Sequence, residues 1–179
     1  VYQRLGRYDD AVRSFQAAIE ADPEYGNAHF NLGTMHLARH RHNEAAQALG
    51  RAVEIQPDFA EAHLKLGVAY KSLGRHSQAI EALERAAELQ PDFANAYTSL
   101  GNVHTAMGDL EQAEAAYRKA VEADTGSHAA LFNLGNVSGR LGKRRDAIVS
   151  YERALEIEPG FVDARGNLAE ALFEEGEKE

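Results

Sequence analysis

The spacing of the prolines constrains this chain more than any other feature. Pro23, Pro57, Pro91 and Pro159 are separated by 34, 34 and 68 residues, the last gap being two periods with Thr125 where a proline would fall. The same step carries Leu32-Gly33 onto Leu66-Gly67, Leu100-Gly101, Leu134-Gly135 and Leu168-Ala169. It also carries Ala11 onto Ala45, Ala79, Ala113 and Ala147, and Ala18 onto Ala52, Ala86, Ala120 and Ala154. Between those alanine columns lies one large residue per period, Phe15, Leu49, Leu83, Tyr117 or Tyr151, and glycine recurs at Gly6, Gly74, Gly108, Gly142 and Gly176. A sequence with a period of this size builds an array of one supersecondary unit, each copy buried against the next.

The period is helical. Ala62, His63, Leu66, Gly67, Ala69 and Tyr70 form one apolar stripe at helical spacing, followed by Gly74 in the position of a left-handed cap. A second stripe, Ala79, Leu83, Ala86, Ala87 and Leu89, runs to Pro91, which cannot continue a helix. The 32 alanines against 4 prolines agree with an all-α chain. Each period is thus a helical hairpin, and Gly67 and Ala79 fall where two antiparallel helices need small residues to approach. Phe59 and Phe93, after Pro-Asp, are placed to plug the joint to the next hairpin.

The 34-residue period, the Leu-Gly pair, the aromatic column of Tyr70 (His36 and His104 elsewhere), the two alanines around a large residue and the closing proline resemble the tetratricopeptide repeat. The resemblance spans essentially the whole chain and implies a right-handed α-solenoid. Four complete repeats are expected at 26–59, 60–93, 94–127 and 128–161, after a partial repeat at 1–25 and before a further first helix or capping helix at 162–179. Departures are His29, His63, Tyr97 and Leu131 in the usual tryptophan column, and His40 in a glycine column. The joint after Val121 lacks both proline and aromatic, so it is expected to be the most mobile. Both ends fall inside repeats, which reads as a window of a longer array, and the apolar Val12, Phe15 and Ile19 suggest end-to-end self-association.

Composition removes several classes of function. With 19 Lys+Arg against 28 Asp+Glu the formal charge is −9, which disfavours nucleic acid as a partner. No segment is apolar enough for direct membrane insertion. Zero cysteines exclude disulfides and thiolate chemistry while leaving the compartment open. His36 and His40 have a metal-pair spacing, but the histidines fall in repeat columns and Arg39 and Arg41 oppose a cation, so packing roles are expected and no metal or cofactor. The stretch 137–144 is a near miss to a phosphate loop, and Asn136-Val137-Ser138 is a glycosylation triplet inside an expected helix. Nothing assembles a catalytic constellation.

The resemblance assigns a concave groove to the first helices. Its columns here are Asn27, Phe30, Asn31, Thr34, Leu37 and Ala38; then Glu61, Leu64, Lys65, Val68, Lys71 and Ser72. They continue as Asn95, Thr98, Ser99, Asn102, Thr105 and Ala106; then Ala129, Phe132, Asn133, Asn136, Gly139 and Arg140, with Asn167 beyond. The asparagines offer donors and acceptors to a peptide backbone, and Phe30, Leu64 and Phe132 offer apolar pockets. The Asn-Leu-Gly pattern is similar to that of arrays attached to protein O-linked N-acetylglucosamine transferases, where an asparagine ladder holds substrate backbone; Lys65 and Ser99 interrupt it here. The expected function is a non-enzymatic module that binds a protein or peptide as an extended or helical segment. The alternatives are a substrate-recruiting arm of a larger enzyme such as a glycosyltransferase, or a self-assembling structural array.

Overall fold

The computed structural model describes residues 8–176, so Gly6 and the expected turn at 177–179 lie outside the described residues. Ten α-helices and no strand occupy the described residues: α1 Tyr8–Ala21, α2 Gly26–Ala38, α3 His42–Ile55, α4 Ala60–Ser72, α5 His76–Leu89, α6 Ala94–Met107, α7 Leu110–Ala123, α8 His128–Arg140, α9 Arg144–Ile157 and α10 Val162–Gly176. The chain forms two compact units, Val1–Gln90 with α1–α5 and Pro91–Glu179 with α6–α10. In the first, α2 pairs with α3 and α4 with α5, while α1 packs on α2 and α3 on α4. The second repeats this plan, with hairpins α6–α7 and α8–α9, and with α7 packed on α8 and α9 on α10. The expected hairpins are therefore present and stacked within each unit. No described helix is long and apolar enough to cross a membrane.

The hairpin turns are written locally. At the end of α4, Gly74 adopts φ +70°, its N–H bonds the Lys71 carbonyl at 3.0 Å, and the Arg75 N–H bonds the Tyr70 carbonyl at 2.9 Å. This paired pattern closes a helix by satisfying carbonyls that the last turn leaves open. It recurs after α2, α6 and α8, where the outer bond runs from Arg41 to His36, Asp109 to His104 and Lys143 to Ser138. His40 takes the glycine position after α2 with φ +57°, so it carries the left-handed strain of about 1 kcal/mol that glycine avoids.

The Leu-Gly pair sets the distance between paired helices. A Cβ on Gly33 or Gly67 would stand 2.5 Å from the Cγ of Leu49 or Leu83, and one on Gly101 or Gly135 would stand 2.5 Å from the ring of Tyr117 or Tyr151. Those four large residues are buried, as are the flanking alanines. Phe59 packs its ring 4.6 Å from Phe30, and Phe161 lies 4.8 Å from Phe132, so the aromatic after each of these joints seals against the preceding first helix.

At 124–127, where both proline and aromatic are missing, the backbone makes local hydrogen bonds to side chains. Asp124 Oδ1 accepts from the Gly126 N–H at 3.0 Å, and Ser127 caps α8 by accepting from the Ala130 N–H.

The histidines of the tryptophan column have packing roles. His29 and His63 each direct Nε2 at the carbonyl of the proline six residues earlier, at 3.0 and 3.1 Å. Burial lowers the pKa of His63, and the Pro57 carbonyl offsets part of the shift. His36 lies against the Tyr8 hydroxyl at 3.1 Å, whereas His40 has left the helix and its ring faces His42 at 5.8 Å.

Candidate functional site

The groove columns come to lie on α2 and α4 in the first unit and on α6, α8 and α10 in the second. In the first unit, Asn31 donates its amide to the Asn27 carbonyl one turn back at 2.7 Å, and Lys65 pairs with Glu61 at 3.7 Å. Asn27 is exposed, Phe30, Val68 and Lys71 are half-buried, and Leu64 is buried. Phe30 belongs to the core margin with Leu37, packed against the Leu49–Leu66 cluster, which leaves it only part of its surface for a ligand. Thr34 has a buried hydroxyl without a hydrogen-bond partner.

The second unit explains that orphan. Asn102 and Asn136 occupy the Thr34 column one residue after the glycine, and each accepts a hydrogen bond from the tyrosine fifteen residues on. Tyr117 donates to Asn102 Oδ1 at 2.7 Å, and Tyr151 donates to Asn136 Oδ1 at 2.9 Å. In the first unit the partner column holds Leu49 and Leu83, so Thr34 has nothing to bond. Burial pushes both tyrosine hydroxyls up in pKa, which keeps them as neutral donors to the amides. Thr98 and Thr105 turn their hydroxyls back on their own helix, to the Ala94 and Gly101 carbonyls at 2.9 and 2.7 Å.

Between α8 and α10 the helices enclose an open groove of about 480 Å³ whose lining includes Asn136, Arg140, Tyr151, Asn167 and Glu170. Asn167 donates to Asn136 Oδ1 at 2.8 Å, so the two amides bridge neighbouring repeats. Arg144 closes one end through Glu174 at 2.7 Å. Arg140 and Glu170 line the same space without an ion-pair partner among the described residues. Asn133, one turn before Asn136 on α8, is half-buried and makes no hydrogen bond within the described residues. Phe132 packs between Tyr151 and Phe161, at 6.0 and 4.8 Å. The structure thus brings Asn136, Arg140 and Asn167 into one cavity, with Asn133 on the same helix. In the glycosylation triplet, Asn136 is engaged by Tyr151 and Ser138 is fully buried.

One polar group escaped the sequence reading. Glu114 is buried on α7 in a column otherwise held by Val12, Ala46, Ile80 and Ile148. Lys143 reaches its carboxylate at 2.5 Å and Arg118 at 3.0 Å, and Arg118 extends to Asp146 at 3.2 Å. Burial alone would push the Glu114 carboxyl up, but the hydrogen bonds from Lys143 and Arg118 outweigh it and hold the group below the usual glutamate range. The apolar column with one acidic member was the available signal.

No match was found among curated proteins. A family model described as Cilia and flagella-associated protein 70 C-terminal domain matches residues 1–179. Among solved structures, MamA superposes with a TM-score of 0.84 at 30% identity, covering 88% of this chain and 92% of that one. TTC0263, a thermophilic TPR protein of Thermus thermophilus, gives 0.73 at 26% identity over 96% and 93%. YrrB, described as a TPR protein with an unusual peptide-binding site, gives 0.77 at 21% identity over 92% and 85%, a likeness of fold. Tetratricopeptide domains are in general interaction modules rather than catalysts. Because a single family model spans the full length and the structure builds the 34-residue frame hairpin by hairpin, this chain belongs to the tetratricopeptide-repeat family of the cilia and flagella-associated protein 70 C-terminal domain.

Proposed function

We propose that the chain is a protein-binding module that takes an extended or helical polypeptide segment along its first-helix faces, with the α8–α10 groove as a principal contact. The observation that carries this reading is the juxtaposition, in one groove, of Arg140 and Glu170 without ion-pair partners beside the Asn136 and Asn167 amides. A peptide has both backbone donors and acceptors and side chains of either sign, which such a lining satisfies together. Asn133 adds an uncommitted carboxamide one turn away.

The test is titration calorimetry with peptides selected from a display library. Asn133→Ala with Arg140→Ala should weaken binding about tenfold or more, since an amide bond is worth about 0.5–1.5 kcal/mol net and a charged one more. The melting temperature should hold, because neither side chain makes a hydrogen bond or ion pair among the described residues. Unchanged affinity rejects the reading. Asn136 is the wrong residue for this test: removing its oxygen strips the Tyr151 hydroxyl of its acceptor and mixes stability with binding.

Association of copies is a second reading, favoured by Leu172 and Phe173 on α10, which are 47% and 68% exposed. Light scattering over a concentration series should show a mass that rises with concentration, and Phe173→Ser should lower it. A monomer mass throughout removes the idea.

A further inference from the structure

The first unit carries a groove on the opposite side of its helices from the columns described above, between the second helices. It has a volume of about 420 Å³ and an apolar floor of Val53, Leu66, Tyr70 and Ala82. Its rim is acidic: Glu81, Glu84 and Glu88 stand against Arg85 alone. That one cation is already taken, since Arg85 pairs with Glu88 at 3.0 Å. Glu81 and Glu84 have no ion-pair partner among the described residues.

The groove is not an isolated irregularity. One period earlier, between α1 and α3, a cavity of about 570 Å³ is built from the same columns: His29 for His63, Leu32 for Leu66, Ala48 for Ala82 and Arg51 for Arg85. Here too the arginine is occupied, by Glu54 at 2.5 Å and Glu24 at 3.2 Å, while Glu20 and Glu44 line the space without an ion-pair partner among the described residues. Two successive grooves therefore combine an apolar floor with carboxylates whose charge the fold does not neutralise. In the second unit the columns of Glu81 and Glu84 hold Ala115 and Arg118 on α7 and Val149 and Glu152 on α9, so neither second helix there carries the carboxylate pair.

We propose that this outer face of the first unit docks a cationic amphipathic polypeptide segment, separate from the ligand of the first-helix face. The occupant follows from charge complementarity. Lys and Arg side chains lay an alkyl stem along apolar surface and carry the charge to its edge, which matches a floor of Leu66 and Tyr70 below Glu81 and Glu84. An acidic segment would meet like charge on both rims. A purely apolar one would leave the carboxylates desolvated beside it.

The experiment uses the full chain and a fluorescein-labelled peptide of leucine and lysine with its leucines at helical i, i+3, i+4, i+7 spacing, read by anisotropy. Glu81→Lys with Glu84→Lys should weaken binding about tenfold or more, and Glu81→Gln with Glu84→Gln, which keeps size and helix propensity, by an intermediate factor. Glu152→Lys with Glu156→Lys on α9 makes the same change in net charge away from the groove and should leave affinity within about twofold. The same peptide with glutamate for lysine should not bind. Equal loss from the α9 variant, or undiminished binding to the Glu81 and Glu84 variants, overturns the proposal, as does failure of the wild-type chain to bind. Asn133→Ala with Arg140→Ala serves as a separate arm: binding lost there and retained in the Glu81 and Glu84 variants assigns the peptide to the other face.

Discussion

Leu83→Ala should destabilise the chain by about 2–5 kcal/mol and Gly67→Ala by about 1–3 kcal/mol, yet the double variant should lose less than the sum. Leu83 is fully buried, and its truncation leaves a cavity at the centre of the α4–α5 hairpin. A methyl on Gly67 would stand 2.5 and 2.8 Å from the Cγ and Cδ2 of that same leucine, so the hairpin must open or the side chain must move. Removing Leu83 deletes the atoms that a Gly67 methyl strikes, and the methyl fills part of the hole. Relief is incomplete because the Ala79 carbonyl oxygen also lies 3.1 Å from the added carbon. Urea titration of the four proteins reads the coupling directly. Additivity within about 0.5 kcal/mol would mean that the two residues do not share one space.

The second large effect concerns a buried charge. Arg118→Ala with Lys143→Ala should cost about 2–4 kcal/mol, less than for a fully enclosed pair because both cations are half-exposed. The loss comes from leaving the Glu114 carboxylate buried without its two donors. Glu114→Ile, which restores the residue type found at Ile80 and Ile148, should be neutral or stabilising in the wild-type background and should rescue the double variant. The pH dependence has a definite sign. A carboxyl whose folded pKa lies below its unfolded one stabilises the fold above the ordinary glutamate range, and that contribution is lost as pH falls through the folded value. Glu114→Ile should therefore melt with a shallower dependence on acid than the wild type. Thermal melts across that range check it, and identical slopes would show that the carboxylate contributes nothing.

What the sequence told and withheld follows from how far apart the interacting residues lie. Each turn is encoded by residues within six positions, so Gly74 announces its own geometry, and His40 could be recognised as a residue in a glycine position. The Leu-Gly column and its large partner sixteen residues on recur often enough to reveal a close approach. The Asn–Tyr bonds were legible in principle, because Asn102 and Asn136 appear only where the second helix has Tyr117 or Tyr151, and Thr34 and Val68 appear opposite Leu49 and Leu83. Read as a single column, those asparagines resemble ligand contacts. Read as pairs, their oxygens serve the fold, and the uncommitted Asn133 and Arg140 become the residues to test. Glu114 was harder, because its main partner Lys143 is 29 residues away and no repeat elsewhere in the chain has the same combination.

Within each unit, every substantial packing partnership joins helices next to one another in the chain, apart from the lighter approaches of α2 to α4 and α8 to α10. Contacts of short sequence separation can be made early in folding and reopened singly, without first closing a long loop. Damage consequently has a range: a cavity at Leu49 weakens its own hairpin and the ones touching it, and leaves α6–α10 with their own contacts intact. A chain organised in this way can trade one hairpin for another over evolutionary time, altering a groove's lining while its neighbours keep the frame.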